Sequence, residues 1–205
     1  MTRRCALLRF ATGRQPVPPP GIDPQAYADA MFDDVAEVLH GLEAVDTLVV
    51  CPPGAAPAVR SLVWPQVPVV ERADRTVAGV AALAVAGEYR QLALVAADAP
   101  DLPQLVLAKV FQALSRSPVA VAPAAGDGAV ALGLQLPAPA WLPAIGLDSV
   151  DVVEVLQAAG RDQVRVTPGW HRLRTPADIG HLDPGLDGWE ATRALLAGVS
   201  PRSGA

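Results

Sequence analysis

At 205 residues, with 51% hydrophobic and 18% charged side chains, the chain has the apolar content of a folded protein and not of a disordered one. Its net charge of −5, from 21 acidic against 16 basic residues, argues against a nucleic-acid partner, which would need a basic face. The first apolar run is broken at Arg9 and no stretch reaches the ~18 apolar residues of a spanning helix, so a cytoplasmic chain without an export signal or membrane segment is expected.

Short apolar runs alternate with helical periods along the chain. Residues 5–11 read as a strand, followed by a proline-rich loop at 16–21. Asp23-Pro24 opens a helix through an N-cap and a first-turn proline. Tyr27, Met31, Phe32, Val35, Val38, Leu39 and Leu42 then recur mostly at three and four, which gives that helix one buried face. Strands follow at 47–51 and 67–70, with a short helix at 56–62 between them. A helix at 76–89, a strand at 91–97 and a helix at 103–114 continue the alternation. Residues 119–122 and 129–136 read as successive strands, followed by a helix at 150–159, a strand at 163–167 and helices at 176–182 and 189–196. We expect one domain over residues 1–198 and a frayed tail at 199–205.

Strands rich in Val, Leu and Ala, alternating with helices, imply an α/β fold of three layers, α/β/α, around a mostly parallel mixed sheet. The two successive strands within 119–136 add an antiparallel excursion. Such sheets bind ligands at the carboxyl ends of their strands, here the loops after residues 11, 51, 70, 97 and 122. Cys5 and Cys51 fall at opposite ends of predicted strands, so no disulfide is expected.

The run Leu92-Ala93-Leu94-Val95-Ala96-Ala97-Asp98 delivers a carboxylate at the end of a buried strand, where it can face a ligand or a hard divalent cation. Asp101, just before Pro103-Gln104, reads as a helix cap. Asp33 and Asp34 point about 100° apart on their helix and are not a catalytic acid pair. His40 reads as a surface residue, His171 and His181 lack metal-ligand spacing, and Trp64, Trp141, Trp170 and Trp189 read as loop anchors. Arg172 and Arg174 stand two apart in an extended segment and so share a face, from which both guanidiniums could reach one phosphate or carboxylate. The alternative is that they are surface charges partnered by Asp178 and Asp183.

Asp98-Ala99-Pro100-Asp101-Leu102 resembles the Gly-Ser/Thr-Asp-Cys-Pro-Asp-Leu signature of the DUF2064 group. These are small GT-A-fold proteins related to phospholactate guanylyltransferase and molybdenum cofactor guanylyltransferase. Phe32-Asp33-Asp34 is similar to the group's Leu-x-Asp stretch, and Pro123 to Gly128 to its Pro-x-x-Asp-Gly-Gly-Tyr turn. Arg174-Thr175-Pro176-Ala177-Asp178-Ile179 is similar to its closing Asp-Thr-Pro-Glu-Asp-Leu, so the resemblance runs in order over residues 5–182. It implies a nucleotide-diphospho-sugar-transferase-like fold and a nucleotidyl- or glycosyltransferase relative. Such a protein would bind a nucleotide or nucleotide sugar through Arg14, Asp98, Asp127, Gly128, Arg172 and Arg174. Asp98 would be the ligand for Mg²⁺ or Mn²⁺.

The chain departs from that pattern at the charged positions. Thr12 replaces the first Lys of the group's basic loop and leaves Arg14 alone there. Arg174 takes the leading acidic position of the closing motif, and Arg172 stands where an earlier Asp can occur. Gly126 and Ala129 replace the turn's acid and tyrosine. With one carboxylate, only weak divalent-ion binding is expected, with no saturable Mg²⁺ site below millimolar. The same departures suit a scaffold that keeps the fold and a ligand or partner without transfer, and a different doubly wound fold is the third alternative.

Overall fold

The structure, a computed structural model, describes residues 2–9 and 16–198, with Arg9 seen by its backbone; Arg14 and the expected tail at 199–205 lie outside the described residues. Its strands are β1 (Arg4–Arg9), β2 (Asp46–Cys51), β3 (Val69–Glu71), β4 (Gln91–Val95), β5 (Val119–Pro123), β6 (Ala129–Gln135) and β7 (Val164–Val166). Its helices are α1 (Pro24–His40), α2 (Ala56–Arg60), α3 (Val77–Ala86), α4 (Gln104–Ala113), α5 (Val152–Gly160) and α6 (Glu190–Leu196). The predicted helix at 176–182 is a 3₁₀ helix, Pro176–His181, begun by Thr175 and Asp178 in a capping box.

The strands form one seven-stranded sheet in the order β3-β2-β1-β4-β6-β5-β7. β1, β2, β3 and β4 run parallel, as do β5 and β7, while β6 runs antiparallel to both its neighbours. The α/β class and the antiparallel excursion thus match the sequence expectation. The predicted 91–97 strand is β4, interior between β1 and β6, with every residue buried. Its Leu92 and Leu94 belong to a core shared with Leu7, Leu8 and Leu132.

Local chemistry sets the helix starts. Asp23 accepts from the Ala26 amide at 2.9 Å, and Pro24 occupies the first turn of α1. Thr76 Oγ1 accepts from the Gly79 amide at 3.1 Å to begin α3. α4 corrects one expectation: its N-cap is Pro103, without a side-chain cap, and Asp101 is spent elsewhere. Cys5 and Cys51 are buried free thiols, at opposite ends of the paired strands β1 and β2. Among the described residues no helix is long and apolar enough to cross a membrane.

A second apolar cluster joins Tyr27 and Met31 of α1 to Leu173, Leu182 and Trp189, which clamps the C-terminal segment against the first helix. Asp34 completes this clamp. Buried at 1% exposure, it accepts from the Ala191 and Thr192 amides at 2.9 and 2.8 Å and caps α6 from across the molecule.

Gly133 of β6 lies under α4, where an added Cβ would come within 2.6 Å of Val110 Cγ1 and 3.1 Å of Leu114 Cδ1. Gly133→Val should therefore lift α4 from the sheet and lower stability by about 1–3 kcal/mol, the usual effect of overpacking a core. Urea denaturation checks this, and an unchanged midpoint would mean that α4 can shift freely.

Candidate functional site

The carboxyl ends of β1, β4, β5 and β7 lie on one edge of the sheet, because these four strands run in the same direction. β4 leads directly to Asp98. The segment after β7 continues beside the end of β5: Ala124 bridges Trp170, Trp170 N–H donates to the Pro123 carbonyl, and Ala125 N–H donates to the Trp170 carbonyl. This places Arg172 opposite Asp98, and the Leu173 amide donates to the Asp98 carbonyl at 2.6 Å.

Arg172 and Asp98 form a buried bidentate pair, 9% and 7% exposed. Arg172 Nε donates to Asp98 Oδ1 at 2.5 Å and Nη2 to Oδ2 at 3.0 Å. Nη1 donates to the carbonyls of Ala129 and Leu147, both at 3.1 Å. Nη2 also lies 2.8 Å from Asp148 Oδ1. The five N–H groups of the guanidinium therefore meet five acceptors, all supplied by the chain itself. Burial works against the charge of Arg172, but Asp98 and then Asp148 outweigh it and hold the group above the usual arginine pKa.

Arg174 lies nearer the surface. Its Nη1 donates to the Asp127 carbonyl at 2.7 Å, its Nη2 is 3.4 Å from Asp148 Oδ1, and its Nε is 3.9 Å from Asp98 Oδ2. Asp178, expected as a partner of the arginine side chains, accepts instead from the backbone amides of Arg174 and Thr175 at 2.9 and 2.7 Å. These amides and the Thr175 hydroxyl hold its carboxyl below the ordinary aspartate value, against the opposing effect of burial, which is the largest single influence.

The turn at 126–128 completes the rim. Gly126 and Gly128 have φ of +86° and +80°, the left-handed region in which a side chain is strained. Gly128 also lies against the Leu147 carbonyl and 3.1 Å, measured from a built Cβ, from Arg174 Nη2, so close approach and conformation both require glycine. Asp127 between them is exposed.

Asp98, Asp127, Gly128, Arg172 and Arg174 are thus brought to one edge, whereas Arg14 lies outside the described residues. Two of these positions differ from expectation. Arg172 does not present its guanidinium to an external anion, because Asp98 and three other protein groups use every donor. Asp98 does not present a free oxygen to a cation, because Arg172 holds both.

Sequence reasoning missed Asp148, which bridges the two arginines. A signal was there: Asp148 is the first charged residue after Asp127, at the end of a long uncharged stretch. It also missed the role of Asp101, which is 3% exposed and accepts from Trp170 Nε1 at 3.1 Å, with His171 Nε2 2.8 Å away. The ring of His171 meets those of Trp170 and His181 at a tilt, with centroid distances of 4.9 and 5.9 Å. Burial and then the charges of Asp178 and Asp98 push the phenol of Tyr27 up to about 12.

A divalent ion at Asp98 would have to displace the guanidinium from both oxygens, and among the described residues no group of three or more His, Cys, Asp or Glu could hold a metal. The residues at Asp98 do not fit a metal.

No protein-family model matches the sequence, and no curated protein matches it. Solved structures do match. A candidate nucleotide-diphospho-sugar transferase from Desulfovibrio desulfuricans G20 superposes with a TM-score of 0.73 at 17% identity, over 98% of this chain and 100% of that one. Rv0371c of Mycobacterium tuberculosis H37Rv, in complex with manganese, gives 0.53 at 19% identity over 96% and 98%. A CMP-2-keto-3-deoxy-manno-octonic acid synthetase in complex with CTP gives 0.58 at 14% identity over 97% and 99%. At such identities the likeness is one of fold. The chain has the mixed, mostly parallel α/β fold of nucleotide-diphospho-sugar transferases and cytidylyltransferases.

Proposed function

We propose that the chain binds a nucleotide or nucleotide sugar at the carboxyl edge of its sheet, as a GT-A-like relative of the nucleotidyl- and glycosyltransferases. The observation that carries this reading is Arg174: a guanidinium held by the Asp127 carbonyl and Asp148 beside a tight glycine turn, at the edge where such sheets take ligands. A planar guanidinium at that rim suits the charge and geometry of phosphate. Arg14, which follows β1 in the sequence, would serve the same phosphates. The resemblance to the DUF2064 signatures and the CTP complex of a protein with the same fold support the ligand class.

A second reading, a binding scaffold that has lost transfer, is favoured by the closure of Asp98 under Arg172. Titration calorimetry with CTP, GTP and UDP-sugars tests binding. We expect saturable binding that Arg174→Ala weakens by about tenfold or more, the usual worth of a charge-assisted contact. No binding of any nucleotide to the intact chain would overturn the reading. Pyrophosphate release on incubation with nucleoside triphosphates and sugar phosphates would separate the transferase from the scaffold.

A further inference from the structure

We infer that Arg172 is a built-in cation that takes the place of a divalent ion at Asp98, so that this edge of the sheet works without metal. The inference goes beyond the nucleotide reading and stands or falls without it, because it rests on the surroundings of Asp98 alone.

A carboxylate at the carboxyl end of an interior strand is where a hard cation would be held, with oxygen ligands around it. Here the positive charge comes on a side chain. The guanidinium meets both oxygens of Asp98, and its Nη2 also meets Asp148 as a second acid. Two carbonyl oxygens, of Ala129 and Leu147, complete its surroundings. Two carboxylates and two carbonyls converging on one positive charge form an all-oxygen cradle of the kind hard metal ions use, closed around an arginine. An ion would have to break the bidentate pair and leave a buried guanidinium with Asp148 as its remaining acid, which costs more than the weak gain from a single carboxylate.

The two acidic partners come from separate loops, and each has reason to stay. Asp98 is fixed by the Leu173 amide on its own carbonyl at 2.6 Å. Asp148 is shared with Arg174. Ala129 N–H donates to the Leu147 carbonyl at 2.8 Å, which sets the Leu147 oxygen toward Arg172. A cation that is part of the chain cannot be removed by a chelator, nor exchanged for another.

Manganese alone is the probe, with the full chain. Free Mn²⁺ is followed by its paramagnetic resonance signal, and the melting temperature is read beside it. We expect the wild type and Asp98→Asn to leave the free signal equally unchanged up to millimolar ion. Saturable binding in the wild type that Asp98→Asn removes would overturn the inference.

The second arm removes the internal cation. Arg172→Met should melt about 10 °C lower, since one partner of a buried pair is then uncompensated. Mn²⁺ or methylguanidinium should restore at least half of that loss, and neither should restore the double variant Asp98→Asn with Arg172→Met. Failure of both cations to raise the melting temperature of a folded Arg172→Met would overturn the claim that a cation site lies there. If Arg172→Met does not fold, the comparison of wild type with Asp98→Asn decides.

Discussion

Asp98→Ala will lower stability by about 3–5 kcal/mol, because it strips a buried guanidinium of its bidentate counter-charge and leaves Asp148 as its remaining acid. Arg172→Met will lose a similar amount by the converse route, with the Asp98 carboxylate stripped of its bidentate partner and the Ala129 and Leu147 carbonyls each losing one donor. The two losses will not add. A variant carrying both changes has no uncompensated charge at this pair, so it should fall short of the sum by roughly 2 kcal/mol or more. Urea denaturation of the four proteins measures the coupling. Strict additivity would show that Arg172 and Asp98 are held apart in solution, and that the pair described here does not form.

The second large effect is one of pH. Burial pushes the carboxyl of Asp34 up to about 6 from an ordinary 3.8, against the Thr192 and Ala191 amides that pull it down. Between those two values the unfolded chain has already lost its proton while the folded chain keeps it. The contribution of Asp34 to stability then falls as pH rises from about 4 to about 6 and levels off above, the reverse of the usual aspartate. A shift of roughly two units corresponds to about 3 kcal/mol over that window. Asp34→Ala abolishes the slope and also leaves the two amides of α6 without their acceptor. The variant should therefore be more destabilised at pH 4.5 than at pH 7, and amide exchange at Ala191 and Thr192 should accelerate at both. Parallel stability curves for wild type and variant would show that Asp34 does not titrate in this range.

The strand and helix alternation was legible because it is written locally, in apolar runs and in spacings of three and four. The interior place of β4 followed from its unbroken burialable side chains, and the position of Asp98 followed from β4. The alternation rule for extended segments also foresaw that Arg172 and Arg174 share a side, and both guanidiniums do approach Asp98. What no local pattern shows is direction relative to the core. Asp98 and Arg172 are 74 residues apart, and Asp101 and Trp170 are 69 apart, so each pair exists only once the segment after β7 has docked beside β5. Helix geometry set Asp34 apart from Asp33, yet its actual use as a cap for α6 depends on a residue 158 positions later. A cap read from neighbouring sequence works for Asp23; it failed for Asp101 because a tryptophan from a distant loop claimed the carboxylate.

Both margins of the sheet are three-residue strands, β3 and β7, and each is bounded by proline, at Pro68 and Pro168. A ladder so short offers little to a second chain, and proline has no amide hydrogen with which to extend it. Glu71 at one margin turns back to accept from the Gly54 and Ala56 amides, while Arg165 at the other faces solvent as a charge. The five longer strands, with their Val- and Leu-rich ladders, are thereby shielded from edge-to-edge association. Among the described residues, the longest and most aliphatic strand backbone thus lies away from the sheet's borders.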